Sequence, residues 1–397
     1  MTHYRSALGK LALSTFLFTV PLNAAFAQDA TAVAERLKSL LAAQSMTLGW
    51  SSVSGDDSEM VIEGATLAVA GEDKPLPVGK ITLSGISEDN GGFKIETVST
   101  EPYSVTEEGA TIEISPLILG NLSLPAQGST DPLASFLMYE TASLENVSVK
   151  VGGKQTFQMT NFEMEITPPA DGQAMEFTGS TEKFTADLSL VEDPQSKAAI
   201  DALGYQAISG SFDVAGTWQP KDGQMALTQY DVTVDNAGTF GMTFDLGGYT
   251  LEFIKSMQEL QKSMAAQPEG ADSSTQGLAM LGLLQQLTFN GASVRFDDDS
   301  ITNKVLDYLG KQQGVTGKDV ANQAKAIVPL MMMELNNPEL TQQVMAALSA
   351  FLDNPKSIEI SAEPGSPVPF ALLAASGMAG PKDLPKTLGL TITANQD

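Results

Sequence analysis

Cysteine is absent from all 397 residues, and histidine occurs once, as His3. Without cysteine there is no disulfide, no thiolate nucleophile and no lipid attached at a cysteine, so stability rests on packing alone. Arginine is nearly as scarce: Arg5, Arg36 and Arg295 are the only ones. Lysine and arginine together number 22 against 48 acidic residues, a net charge of −26. A surface that acidic repels nucleic acid and anionic headgroups at long range. No nucleic-acid partner is expected, and any contact with lipid has to run through apolar surface.

The first 27 residues read as a secretory signal peptide. A short basic start with Arg5 and Lys10 leads into the apolar LALSTFLFTV, which Pro21 and Asn23 break, and Ala25-Phe26-Ala27 supplies a small-x-small cleavage site. The apolar run is too short for a transmembrane span. The expected mature chain starts at Gln28, carries no integral membrane span and resides in a periplasm. Losing Arg5 and Lys10 leaves 20 basic residues against the same 48 acids, a net of −28. His3 leaves with the signal, so a Ser-His-Asp triad, a Cys-His pair and a His- or Cys-ligated zinc site are all excluded from the mature protein.

The remaining motifs fail on inspection. Ser180 and Lys183 have an S-x-x-K spacing, but they sit in AMEFTGSTEKFTADLSLV, which alternates like a strand, whereas the nucleophile motif needs a helix start. GVTGKD at 314–319 lacks the first glycine and the final Ser or Thr of a phosphate loop, having Gln312 and Asp319 there. Asp297, Asp298 and Asp299 have no calcium-loop spacing and read as an acidic helix start followed by a capping Ser300. Paired carboxylates remain open to a chain with 48 acids, but no local pattern picks two out. A non-enzymatic protein with neither metal nor cofactor is the expectation.

Organisation along the chain is more informative. Residues 28–45 carry Val33, Leu37, Leu40 and Leu41 at helical spacing. Residues 46–247 are strand-like, with glycine-led alternating segments at EGATLAV, EGATIEI and NGASVRF that suit successive hairpins, and a Gly152-Gly153 turn. The clearest strands lie at 208–246, where the phase slips near Gln229 as at a bulge. From Gly247-Gly248 onward helices predominate: one to about 266, a polar break AAQPEGADSSTQ, another at GLAMLGLLQQL, one after Ser300, one opened by Thr316 with Asp319, and one capped by Asn337 before Pro338. KSIEISAEP and LGLTITAN close the chain as strands around a short helix near 368–378. The expected class is therefore α+β, with a large curved antiparallel sheet and C-terminal helices packing on or capping it. Its parts are a signal peptide (1–27), a β-rich domain with an N-terminal helix (28–247), and a mixed helical and β C-terminal region (248–397).

Large apolar residues at 208–246 fall on one strand face, which some other element or a ligand must cover. Phe212, Trp218, Phe240, Met242 and Phe244 are the candidate residues of an apolar groove. The run AIVPLMMMEL is not a copper site, because consecutive helical residues point about 100° apart. A helix apolar all round is expected to be buried, the alternative being a helix that lines an apolar groove with adaptable methionines.

The tracts VRFDDDSI, FLDNPKSIEI and the closing LGLTITAN, with the glycine-led strands before them, resemble the AsmA-like and YdgA-like β-rich envelope proteins of Gram-negative bacteria. The resemblance covers about 210–397. It implies a curved sheet with an apolar concave face and a role in envelope maintenance or lipid handling. Where that family carries an N-terminal membrane anchor, this chain carries a cleavable signal, and no functional residue transfers. Together these readings lead to an exported protein that holds an apolar ligand such as an acyl chain. The alternative is a structural or interaction module with a self-packed core and an envelope protein partner.

Overall fold

The computed structural model describes residues 22–69, 74–131, 133–169, 173–265, 274–332, 337–379 and 381–396. Most of the signal segment (1–21), part of the polar break (266–273) and Met333 lie outside the described residues. The chain opens with α1 (Leu22–Ala43), which runs through the expected mature start. Val33, Ala34, Leu37 and Leu40 form its buried stripe, as their spacing requires.

A meander of strands follows: β1 (Met46–Gly49), β2 (Ser52–Gly55), β3 (Glu59–Val69), β4 (Leu76–Asp89), β5 (Gly92–Thr100), β6 (Tyr103–Glu107), β7 (Ala110–Ile114), β8 (Leu117–Leu124), β9 (Thr141–Val151), β10 (Lys154–Thr167) and β11 (Met175–Asp187). A short helix, α2 (Pro194–Leu203), precedes the hairpin strands β12 (Ala207–Gln219), β13 (Gln224–Val234) and β14 (Gly238–Gly247). Next come α3 (Leu251–Ala265), α4 (Ser274–Leu284), β15 (Thr288–Asp298), α5 (Ile301–Gln313), α6 (Gly317–Met332) and α7 (Pro338–Asp353). The chain ends with β16 (Ser357–Ala362), β17 (Val368–Pro369), α8 (Phe370–Ala379), α9 (Leu384–Thr387) and β18 (Leu390–Ala394).

The 18 strands among the described residues belong to one curved, unclosed sheet in which every pairing is antiparallel. From β9 onward each strand pairs with the next in sequence through β16, and β18 then lies beside β16. The sheet thus continues across Gly247-Gly248 without a break. Toward the N-terminus it forks. The first part of β9 pairs with β8, which leads through β5, β4 and β3 to β1 and β2, while its second part pairs with β7 of the β6–β7 hairpin. The expected slip at Gln229 is present: Ala215 opposes Gln229, but Gly216 opposes Leu227. The glycine-led motifs are not equivalent hairpin starts. Gly109 makes the β6–β7 turn, whereas Gly64 and Gly291 sit inside β3 and β15 at register shifts.

The N-terminal lobe is closed by α1, whose stripe packs on Leu48, Met60, Ile62, Leu83, Ile95, Leu122 and Leu124. Arg36 on the same helix donates to the carbonyls of Pro125, Ala126 and Ala134. It thereby pins the described parts of the connection between β8 and β9, residues 125–131 and 133–140, as a strap. Its guanidinium lies below its ordinary pKa because burial penalises the charge. At the strap's far end Phe136 meets Trp218 edge-on, with ring centroids 6.2 Å apart.

Candidate functional site: an apolar face between two helical walls

Residues directly opposite in an antiparallel pair share a face, so the register defines what each side of the sheet presents. One row runs Thr181, Phe212, Val232, Phe240, Phe296, Ile358 and Ala394 across β11 to β18. The same face carries Phe177, Gly216, Leu227, Phe244, Ala292 and Ala362, and the shorter row Met242, Val294, Ile360 and Ile392. The opposite face is polar: Thr243 bonds Ser293 at 2.8 Å, Ser361 bonds Thr391 at 2.7 Å, and Arg295 pairs with Asp297 at 2.8 Å and Glu359 at 3.4 Å. Those carboxylates hold the Arg295 guanidinium above its ordinary value.

The apolar face is covered at both ends of the strands. At one end Trp218, 8% exposed, lies under Phe136 and Tyr249, and its indole N–H donates to the Tyr249 carbonyl at 2.8 Å. Phe253 of α3, Leu283 of α4 and Phe370 of α8 join that cluster, and Phe370 meets Phe289 of β15. At the other end α7 lays Ala347 and Phe351 over Phe296, Ile358 and Ala394. Between the two walls Phe240, Val294 and Ile360, on three adjacent strands, remain 42%, 40% and 46% exposed. Phe212, Met242 and Phe244 are half-buried beside them.

All five candidate residues thus lie on one face, but they divide. Phe240, Met242 and Phe244 border the open part, and Phe212 lies two strands away on β12, its ring edge-on to Tyr230. Trp218 belongs to the closed end. Val294 and Ile360 were not among the candidates, because the alternation of NGASVRF and SIEISA does not reveal which strands they join. Their opposite partners do.

The methionine run departs from the expected buried helix. Only the first turns of α6 are buried, through Gly317, Val320 and Ala321, and Lys325 is tied to Asp353 of α7 at 2.5 Å. Beyond them Ile327, Leu330 and Met331 overhang, with Met331 69% exposed. The Asp297–Asp299 cluster precedes α5, but Asp297 and Asp298 end β15 and Asp297 pairs with Arg295, so it is not simply an acidic helix start. Asp298 caps α5, accepting from Thr302 N at 2.8 Å, while Ser300 makes no cap bond and donates instead to Asn236 O.

Two polar groupings combine serine with lysine. Ser180 and Lys183 both lie on β11 and line separate recesses. A recess of about 590 Å³ on the polar face brings Lys154 to 3.1 Å from Ser189 Oγ. That ammonium also pairs with Asp187 at 2.6 Å, and these contacts hold Asp187 far below the usual carboxylate range. Lys154 therefore donates to the serine, whereas activating a nucleophile needs a neutral amine that accepts its proton. Asp187 serves the backbone too, accepting from Ser189 N at 2.9 Å to start a 3-10 turn. Among the described residues no three carboxylates converge as a cation cage, and no helix is long and apolar enough to cross a membrane.

Residues 231–395 match a protein family described only as an uncharacterized protein. The matched segment contains Phe240, Met242, Phe244, Val294 and Ile360, and leaves out Phe212 and Trp218. No curated protein matches the chain.

Proposed function

We propose that this is a non-enzymatic exported envelope protein that shelters an apolar ligand, such as a lipid acyl chain, in the trough between the two helical walls. The supporting observation is the contiguous exposure of Phe240, Val294 and Ile360 on adjacent strands. Covering what remains exposed of each side chain is worth on the order of 1–2 kcal/mol. A chain with helices on both sides of such a patch has the means to cover it and leaves it bare. The site would need no histidine, cysteine or metal, which suits this composition. The signal-like N-terminus supports a periplasmic location, and the likeness to AsmA-like and YdgA-like proteins supports envelope work.

A structural or interaction module, acting through an envelope protein partner, is the second reading. It draws on the self-packed ends, where α1 fills the N-terminal lobe and Phe136 closes over Trp218. Protein purified from its native envelope and extracted with organic solvent separates the two by mass spectrometry. Stoichiometric acyl lipid is expected from wild type, and Val294→Asp, at an exposed position, should lose it while melting no lower than delipidated wild type. Lipid-free wild type that also ignores an environment-sensitive dye on Val294→Cys, a clean label in a chain without cysteine, would leave the module reading standing.

A further inference from the structure

The same trough limits the ligand's polar end. From β10 to β18 the side chains of the apolar face are apolar, glycine or aromatic, with the uncharged hydroxyls of Thr181 and Tyr230. The Thr181 hydroxyl is already engaged, accepting from Phe212 N at 3.1 Å. The face meets an ionised group only at Asp298, which is spent on capping α5.

The cations that contact protein groups around the face are committed elsewhere, and Lys356, just before β16, is exposed. Arg36 holds the strap, and Arg295 is on the opposite face with Asp297 and Glu359. Lys304 sits 4.4 Å over the Tyr205 ring and donates to Asn236 O, and Lys325 is paired with Asp353. Helices α4, α7 and α8 contain no basic residue, and α3 leaves Lys255 exposed. Around all of this the chain carries a net charge of −26.

Carboxylate and phosphate recognition rests on charge-assisted donors, arginine above all. A bound anion here would lose its water, find no such donor, and stand in a negative potential. A cationic head would be drawn by the long-range field but finds on the face only Asp298, which already caps α5. We propose that the ligand is an uncharged amphiphile, an acyl chain ending in a hydroxyl or ester head, rather than a fatty acid or an anionic phospholipid. This rests on the apolar-ligand function proposed above.

The test is displacement of Nile red from the mature protein by monoolein, oleate and oleylamine, each below its micellar concentration. Monoolein should displace at a concentration at least about tenfold lower than oleate at low salt. The gap should narrow as salt screens the protein's charge. Val294→Lys, which puts an ammonium on the face, should lower the oleate concentration needed relative to that of monoolein, shrinking or reversing the gap. Oleate equal to or better than monoolein in wild type overturns the inference and leaves the ligand site intact, as does oleylamine binding best. Nile red that never binds, or that none of the three displaces, removes the ligand site and the inference with it.

Discussion

Arg36 shows how much one side chain holds in a chain this poor in guanidinium groups. Its three carbonyl partners lie 89 to 98 residues away, and the strap it fixes carries Phe136 onto Trp218. Arg36→Ala should lower the unfolding free energy by about 2–3 kcal/mol, the range for hydrogen bonds to a charged group in a part-buried setting. In a Trp50→Phe background the Trp218 emission should shift to the red as the strap loosens. Arg36→Lys should rescue little, because one ammonium cannot reach as a fork does. Unchanged denaturation and emission in both variants would mean that the strap holds itself. Glycine has an equally local task at Gly216, where a Cβ would meet the Phe177 ring and the Ala226 carbonyl. Gly216→Ala should therefore cost about 1–3 kcal/mol through overpacking, read from the same denaturation curves.

Helix ends and strand phases explain both what was legible beforehand and what was not. Asn337 accepts from Leu340 N at 3.0 Å, with Pro338 at the first position of α7, as the local spelling indicates. Asn337→Ala should cost about 1 kcal/mol of stability. Thr316 and Asp319 likewise bond each other's backbone N–H groups at the start of α6. Such signals act within a few residues, so the sequence carries them openly. The bulge near Gln229, the three hairpin strands and the two closing strands were readable for the same reason. The short helix α2 was not read from the sequence. The fork at β9 could not be, because the choice between β7 and β8 as its neighbour is made over long separations by packing. Composition misleads at α6, where an all-apolar run implies burial but only the first turns find partners. Leu330→Gln and Met331→Gln should accordingly change the melting temperature hardly at all, within about 0.5 kcal/mol. A drop of several degrees would show that something covers them. For the trough, three of the five candidates border it and Phe212 lies close by. Trp218 was misplaced because an aromatic residue in a strand does not announce the loop that will cover it.

At the scale of the whole molecule, charge sets the response to solution conditions. A net charge of −26 repels itself in the compact state, so added salt should raise the melting temperature at pH 7. Acidification has two opposed effects. Protonating unpaired carboxylates relieves repulsion. Glu113 (bonded by Lys150 and Ser148), Asp193 (by Ser196) and Asp319 (by Thr316) are held below their ordinary values. A depressed carboxylate stabilises the fold above its unfolded value, and that contribution is lost as pH falls through the folded one. Calorimetry should therefore show a melting temperature that rises from pH 7 toward about 5 and falls below about 4. A steady decline from pH 7 downward would mean that repulsion is unimportant here. The order of the strands has a different consequence. From β9 to β14 each new strand finds its neighbour already in place, and β15 and β16 add on after longer helical connections, so a chain emerging N-terminus first can assemble vectorially. Such short-range closure is fast, but the growing structure always ends in an unpaired strand, open to a wrong partner. Through most of its making the molecule is thus a template with a moving front, and that front stops only where β18 takes its place beside β16.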